Sequence, residues 1–238
     1  MSLEAKSVAE NVADIRERIA RAAERAGRRA EEITLVAVSK TFPAGAIRAA
    51  YDAGVRQFGE NRVQEFEAKR AVLNDLDATW HMIGHVQGNK ARKVAQLFSR
   101  VDSLDRLSTA EKLDAAVAEG AAGRRLAVLI EVKLGGEKTK TGVEQDALAQ
   151  LAEDVVENCP DLELRGLMTI PPYADDPEQA RPYFRKLRDL RDQLRRNIGM
   201  ELPVLSMGMS HDFEVAIEEG ATEIRIGTAI FGERLKPR

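Results

Sequence analysis

Eight short runs that read as buried strands alternate with helical patterns along almost the whole chain, and this alternation limits the possible folds more than any other feature. The runs fall at residues 34–38, 57–59, 79–83, 100–103, 126–132, 162–169, 204–206 and 223–226. The first contains Leu35-Val36-Ala37-Val38, four apolar residues in a row, which suits a strand covered on both faces. Between the runs, spacing predicts helices over 44–53, 62–73, 90–98, 107–119, 144–158, 177–197 and 212–219, with a short one starting at Thr228. A further helix over 7–26 precedes the first strand, with Val8, Val12, Ile15, Ile19 and Ala23 at helical spacing and Gly27 as its stop. Such alternation implies a parallel sheet. Eight units in 238 residues fit an α/β fold, a closed (β/α)8 TIM barrel with an extra N-terminal helix. An open doubly wound sheet is the rival, but it wants a glycine-rich loop after its first strand, and Ser39-Lys40-Thr41-Phe42-Pro43 is not one. No linker, repeat or low-complexity stretch divides the chain, so residues 1–238 read as one domain.

The balance of 44% hydrophobic and 32% charged residues is that of a soluble globular protein. A net charge of −3 leaves no basic excess to displace counterions, which argues against nucleic acid as a partner. Cys159 stands alone, so no intrachain disulfide is possible. No apolar run reaches the roughly 18 residues of a membrane helix, and the N-terminus lacks an apolar signal core. The expectation is a cytoplasmic protein with no membrane partner.

In a barrel, chemistry collects just after the strands. Lys40 follows the first, and a cation at the mouth of a buried strand is costly without a task or a partner. The plain alternative is a lysine that snorkels into water. After the last two strands come Leu205-Ser206-Met207-Gly208-Met209-Ser210 and Arg225-Ile226-Gly227-Thr228. Barrels commonly bind phosphate there with backbone N–H groups, glycine allowing close approach and Ser or Thr adding donors. Singly, Ser210 and Thr228 read as helix caps; on adjacent strands they make a phosphate site. Closure puts the eighth strand beside the first, so the phosphate lies near Lys40. That suits a phosphorylated aldehyde held by a lysine, and pyridoxal 5′-phosphate (PLP) has this shape. A desolvating pocket lowers the lysine pKa from about 10.4, as attack on an aldehyde requires. Arg225 falls between phosphate and amine; its alternative is a salt bridge with Glu60 or Glu223.

Six ordered motifs carry a resemblance. They are Ala37-Val38-Ser39-Lys40-Thr41, Phe58-Gly59-Glu60-Asn61-Arg62-Val63-Gln64-Glu65, the stretch from Trp80 through His81, Gly84 and His85 to Lys90, Gly166-Leu167-Met168, Leu205 to Ser210, and Arg225 to Gly232. From about Leu35 to Glu233 the chain resembles the pyridoxal phosphate homeostasis proteins, small relatives of the alanine racemase barrel. The resemblance implies PLP held as a Schiff base on Lys40, phosphate bound by Ser206 or Ser210 with Gly227 and Thr228, and Arg225 at the pyridine nitrogen. The cofactor-binding set is therefore Lys40, Asn61, His81, Ser206, Met207, Ser210, Arg225, Gly227 and Thr228, with no metal ligand and no catalytic residue. Asn61 reaches the cofactor's phenolic oxygen or stabilises its turn; His81 contacts the ring or packs in the core. The family usually carries Asn where Lys133 stands.

Three functions remain open. The first is storage, buffering or delivery of PLP without turnover, with transient contact to enzymes that lack their cofactor. The second is a PLP-dependent amino-acid racemase or a related enzyme. The third is an ordinary barrel enzyme acting on a phosphorylated metabolite. The related racemases take a second acid/base tyrosine from an extra domain, and a chain ending at Arg238 has no room for one; of its own tyrosines only Tyr173 comes near the mouth. Arg225 cannot hand a proton to the ring nitrogen, which weakens the ring as an electron sink. The site needs nothing from a second chain, so a monomer is expected. Glu137, Lys138 and Lys140 read as a solvated loop or a rim that passes cofactor on. Residues 181–196 read as an outer helix of paired charges.

Overall fold

The computed structural model describes residues 6–120, 123–135 and 141–233. The order of elements is α1 Val8–Arg25, β1 Thr34–Val38, α2 Ala44–Asp52, β2 Gln57–Glu60, α3 Val63–Arg70, β3 Thr79–Met82, α4 Ala91–Leu97, β4 Arg100–Leu104, α5 Leu107–Ala118 and β5 Leu126–Glu131. Then come α6 Leu148–Asn158, β6 Leu162–Met168, α7 Arg181–Ile198, β7 Val204–Ser206, α8 Phe213–Glu218, β8 Glu223–Ile226 and α9 Thr228–Phe231. The strands close into one parallel barrel in chain order, β8 returning to β1. The register sets Val36 opposite Arg225 and Ala37 opposite Ile226.

Two of the expected helices begin later than their patterns. Residues 177–180 and 145–147 form 3-10 turns ahead of α7 and α6. Before α7 the cause is Pro182, which has no N–H to give the Glu178 carbonyl, so the α-helical ladder cannot run back through that turn. Asp176 caps the tighter turn by accepting from Glu178 N–H over 3.0 Å.

The apolar core lies between sheet and helices. Ala37, Phe58, Trp80, Val101, Val128, Leu205 and Ile224 face out from the strands onto Ile47, Phe66, Phe98, Leu113, Leu151, Phe184 and Phe213 of the helices. α1 completes the helical ring beside α8 and α2, burying Val12, Ile15, Ile19, Ala22 and Ala23. Its start is fixed by a capping box between Ser7 and Glu10. Arg18 pairs with Glu214 and Arg25 with Glu218, and Asn11 Nδ2 donates to the Ile230 carbonyl of α9 over 2.9 Å. The extra helix thus covers the seam where the barrel closes. Among the described residues no helix is long and apolar enough to cross a membrane.

Candidate functional site

β1 ends at Val38 and the chain turns at once. Phe42 N–H donates to the Ser39 carbonyl over 3.1 Å, closing a four-residue turn with Lys40 and Thr41 at its centre. Thr41 has φ 69°, the only positive value outside glycine among the described residues. It occupies the third position, where a type II turn favours glycine. A β-branched residue held there costs about 1–3 kcal/mol, and such strain gathers at ligand sites. Ser39 turns its hydroxyl out of the barrel to Glu60 Oε1 at 2.7 Å. Val36 and Val38 face the barrel interior, and half-buried Lys40 follows them at the rim.

Behind this turn stands a buried ion cluster. Lys69 of α3 donates to the Ser39 carbonyl at 3.1 Å, to Glu60 Oε1 at 2.9 Å and to Glu65 Oε1 at 2.7 Å. Glu65 also accepts from Thr41 N–H. Burial pushes the Glu60 carboxyl up, against the pull of Lys69 and Ser39. Glu65 is less buried; desolvation is outweighed there by the bonds from Lys69 and Thr41, and its pKa falls. Glu60 is thus paired with Lys69, not with Arg225.

The loops after β7 and β8 form the second half of the site. Arg225 N–H donates to the Gly208 carbonyl at 3.0 Å, tying one loop to the next strand. Gly208 has φ 94°, and a Cβ there would come within 2.6 Å of the Ala216 methyl, so only glycine lets this loop lie on α8. Met209 N–H donates to Asp212 Oδ1 at 2.6 Å. Ser210 Oγ accepts from Ala229 N–H at 3.3 Å, which brings Ser210 to the Gly227-Thr228 corner. Gly227 abuts β1: a Cβ on it would meet the Val38 carbonyl at 3.4 Å. The Phe42 and Phe231 rings pack at 4.9 Å, joining the lysine turn to α9. Lys40, Ser210, Gly227 and Thr228 therefore share one corner of the barrel mouth.

Ser206 and Met207 lie elsewhere. Ser206 points into the barrel, where its hydroxyl donates to Glu223 Oε1 at 2.7 Å and accepts from Arg225 Nη1 at 2.7 Å. Met207 turns the other way into the core between sheet and helices, and its N–H is taken by the Glu223 carbonyl at 3.1 Å. A three-residue strand shows too little periodicity to reveal these directions in advance. Arg225 is 3% exposed and held by Ser206 and by the Thr169 carbonyl, at 2.8 Å from Nη2. Burial pulls its pKa down, while Glu223, Asp102 and Glu131 hold it up. It meets Glu223 only through Ser206, so the alternative reading, a direct salt bridge to Glu60 or Glu223, does not hold.

His81 belongs to the same interior. Its ring nitrogens lie 3.2 Å from Asp102 Oδ2 and 2.7 Å from Gln57 Oε1. Arg100 binds Asp102 and Glu223 together, so a continuous chain of bonds runs from Gln57 to Arg225. Burial works against charge on Asp102, but Arg100 and His81 outweigh it and hold the carboxyl far below the usual range. His81, Asp102 and Glu223 offer ligand atoms within 4.8 Å of one another. Arg100 already supplies the positive charge that a metal would bring. With both ring nitrogens engaged, His81 has only its carbon edge and faces to offer a ligand.

Asn61 follows β2, and its backbone is pressed so closely on Gly84 that a Cβ there would be 2.4 Å from the Asn61 carbonyl. Its Oδ1 is buried without a hydrogen-bond partner. Glu131, at the end of β5, was not among the sequence candidates. It is 4% exposed, binds Thr141 Oγ1 at 2.9 Å, and burial pushes its pKa up. Lys133 pairs with Glu144 at 2.8 Å. Tyr173 is 78% exposed beside His211. Glu137, Lys138 and Lys140 lie outside the described residues. Glu65 and Lys69 were also missed, although their i,i+4 spacing marks an ion pair. Arg100 and Asp102, two apart in a predicted strand, carried the signature of a charged barrel interior.

Residues 11–235 match the family model described as alanine racemase, N-terminal domain. The pyridoxal phosphate homeostasis protein of Aquifex aeolicus is 50% identical over 225 residues, covering 94% of this chain and 97% of the relative. That of Pseudomonas aeruginosa is 46% identical over 228 residues, covering 96% of each. Among solved structures, PipY of Synechococcus elongatus with PLP bound superposes with a TM-score of 0.84 at 38% identity, covering 95% of this chain and 100% of that one. An alanine racemase of Clostridium difficile has a TM-score of 0.74 at 14% identity and shares the fold, this chain covering 57% of it. The chain belongs to the alanine racemase N-terminal domain family and, within it, to the pyridoxal phosphate homeostasis proteins.

Proposed function

We propose that this protein binds PLP at the barrel mouth and serves to hold and deliver it inside the cell. The observation that carries the reading is closure: Gly227 lies against the Val38 carbonyl and Ala37 pairs with Ile226, so amine and phosphate corner meet across one strand pair. The name of the relatives and the PLP-bound PipY structure support the same cofactor. The residues fit it. Ser210, Gly227 and Thr228 would take the phosphate. The buried, partnerless Oδ1 of Asn61 shows that its amide lacks one partner in this structure, as a residue meant for a ligand would. When bound, PLP would supply the aldehyde, and Lys40 would be the amine that holds it covalently, water being the group lost.

The chain's own groups do the rest. The turn presents the Lys40 amine at the mouth. Arg225 keeps its proton and takes neutral acceptors, so it orients a ring nitrogen without donating its charge away. Tyr173, in the loop after β6, is exposed and packs on His211 next to Ser210.

Incubation with PLP, reduction with borohydride and peptide mass spectrometry test the reading. The adduct is expected on Lys40 alone; an adduct on another lysine, or none, contradicts it. Incubating the loaded protein with single L-amino acids is expected to give no D-isomer or keto acid, and steady turnover would assign a racemase or related enzyme instead.

A further inference from the structure

We propose that Glu65 is a positioning residue for Lys40: it holds Thr41 in the left-handed conformation that aims the lysine, and it is itself held by Lys69. The inference rests on the reading of Lys40 as the aldehyde-binding amine.

Lys40 and Thr41 are the two central residues of the turn closed by Ser39 and Phe42. Thr41 has the wrong side chain for its φ of 69°. Something outside the turn must keep it there, because a threonine released from restraint returns to negative φ. Glu65 is placed to do this, since its Oε1 accepts the Thr41 N–H. The other end of the turn is gripped by the same assembly, through Lys69 Nζ on the Ser39 carbonyl and Glu60 on the Ser39 hydroxyl. Lys69 is 11% exposed at its side chain and Glu60 fully buried, so the clamp is shielded from water on its inner side. The clamp grips the residues before and after Lys40 and leaves its role to the mouth. Relaxation of Thr41 would rotate the peptide that joins it to Lys40 and swing the amine off its line to the phosphate corner.

Four variants test this: Glu65→Ala, Glu65→Gln, Thr41→Gly, and Glu65→Ala combined with Thr41→Gly. In protein free of cofactor, Glu65→Ala is expected to speed amide exchange at Thr41 by about tenfold or more, the scale of one charge-assisted hydrogen bond. With PLP added, it is expected to weaken formation of the Lys40 Schiff base by about the same factor, read from its visible absorbance. Glu65→Gln keeps an acceptor and is expected to lose less. Glycine adopts positive φ unaided, so Thr41→Gly is expected to restore most of the loss in the Glu65→Ala background. A merely structural glutamate would lower the melting temperature with no rescue by glycine, and that result overturns the proposal. So does unchanged Schiff-base formation in Glu65→Ala, which leaves the wider function intact. A wild-type protein with no adduct on Lys40 removes the function and this inference together. Should Glu65→Ala fail to fold, Thr41→Gly alone decides: affinity within about threefold of wild type agrees with a turn that needs only its φ, while a tenfold loss contradicts it.

Discussion

Lys40 sits half-buried at the rim of the barrel, outside the apolar core. Lys40→Ala is therefore expected to abolish the PLP absorbance band while shifting stability by less than about 1 kcal/mol in a denaturant melt. Arg225 differs, being wholly enclosed and bonded to Ser206 and Thr169. Arg225→Ala leaves both acceptors short of a donor and is expected to cost about 1–3 kcal/mol and to raise the PLP dissociation constant at least about tenfold, measurable by titration. Asp102 makes a claim on pH. Its folded pKa is depressed by Arg100 and His81, with burial opposing. The stability it contributes is thus complete above its unfolded value of about 3.9 and is lost as pH falls towards its lower folded value. Asp102→Asn is expected to unfold more easily near neutral pH and to show a flatter fall in stability between about pH 5 and pH 2. An unchanged slope would show that other carboxylates dominate acid unfolding.

Among the elements, α9 has four residues and cannot stand alone as a helix. It is held from outside by Asn11 on the Ile230 carbonyl and by Phe42 on Phe231. Phe231→Ala should therefore loosen the phosphate corner. The expected outcome is weaker PLP retention together with a loss of about 0.5–1.5 kcal/mol beyond simple area loss, seen in paired binding and melting measurements. In α1, Ile15 is 2% exposed against the closing seam. Ile15→Ala is expected to cost about 2–5 kcal/mol in chemical unfolding. β7 and β8 show how local pattern and direction part company. Val204–Ser206 was legible as a strand, yet the opposite facing of Ser206 and Met207 was not, because three residues do not establish which face is inward.

At the scale of the whole molecule, the large apolar side chains left exposed among the described residues are Val72, Val156, Ile170 and Tyr173, of which only the last two share a loop. No broad apolar face calls for a second copy among the described residues. Sedimentation is expected to show a single chain, with and without PLP, and a concentration-dependent dimer would contradict this.

The sequence by itself determined the barrel and the positions of its mouth. Strand and helix periods, and the glycines and prolines that stop them, are local properties that a chain carries wherever it folds. It also placed Lys40, Ser210, Gly227 and Thr228 at strand ends, since position after a strand follows from the same count. Only the tertiary structure decided which charges face one another. Arg100 meets Glu223 across 123 residues of chain, and Glu60 goes to Lys69 and not to Arg225. Those pairings depend on barrel closure and on the inward or outward sense of single side chains. An ion pair is settled by a few ångströms of separation in a low-dielectric interior, a distance that spacing along the chain does not encode.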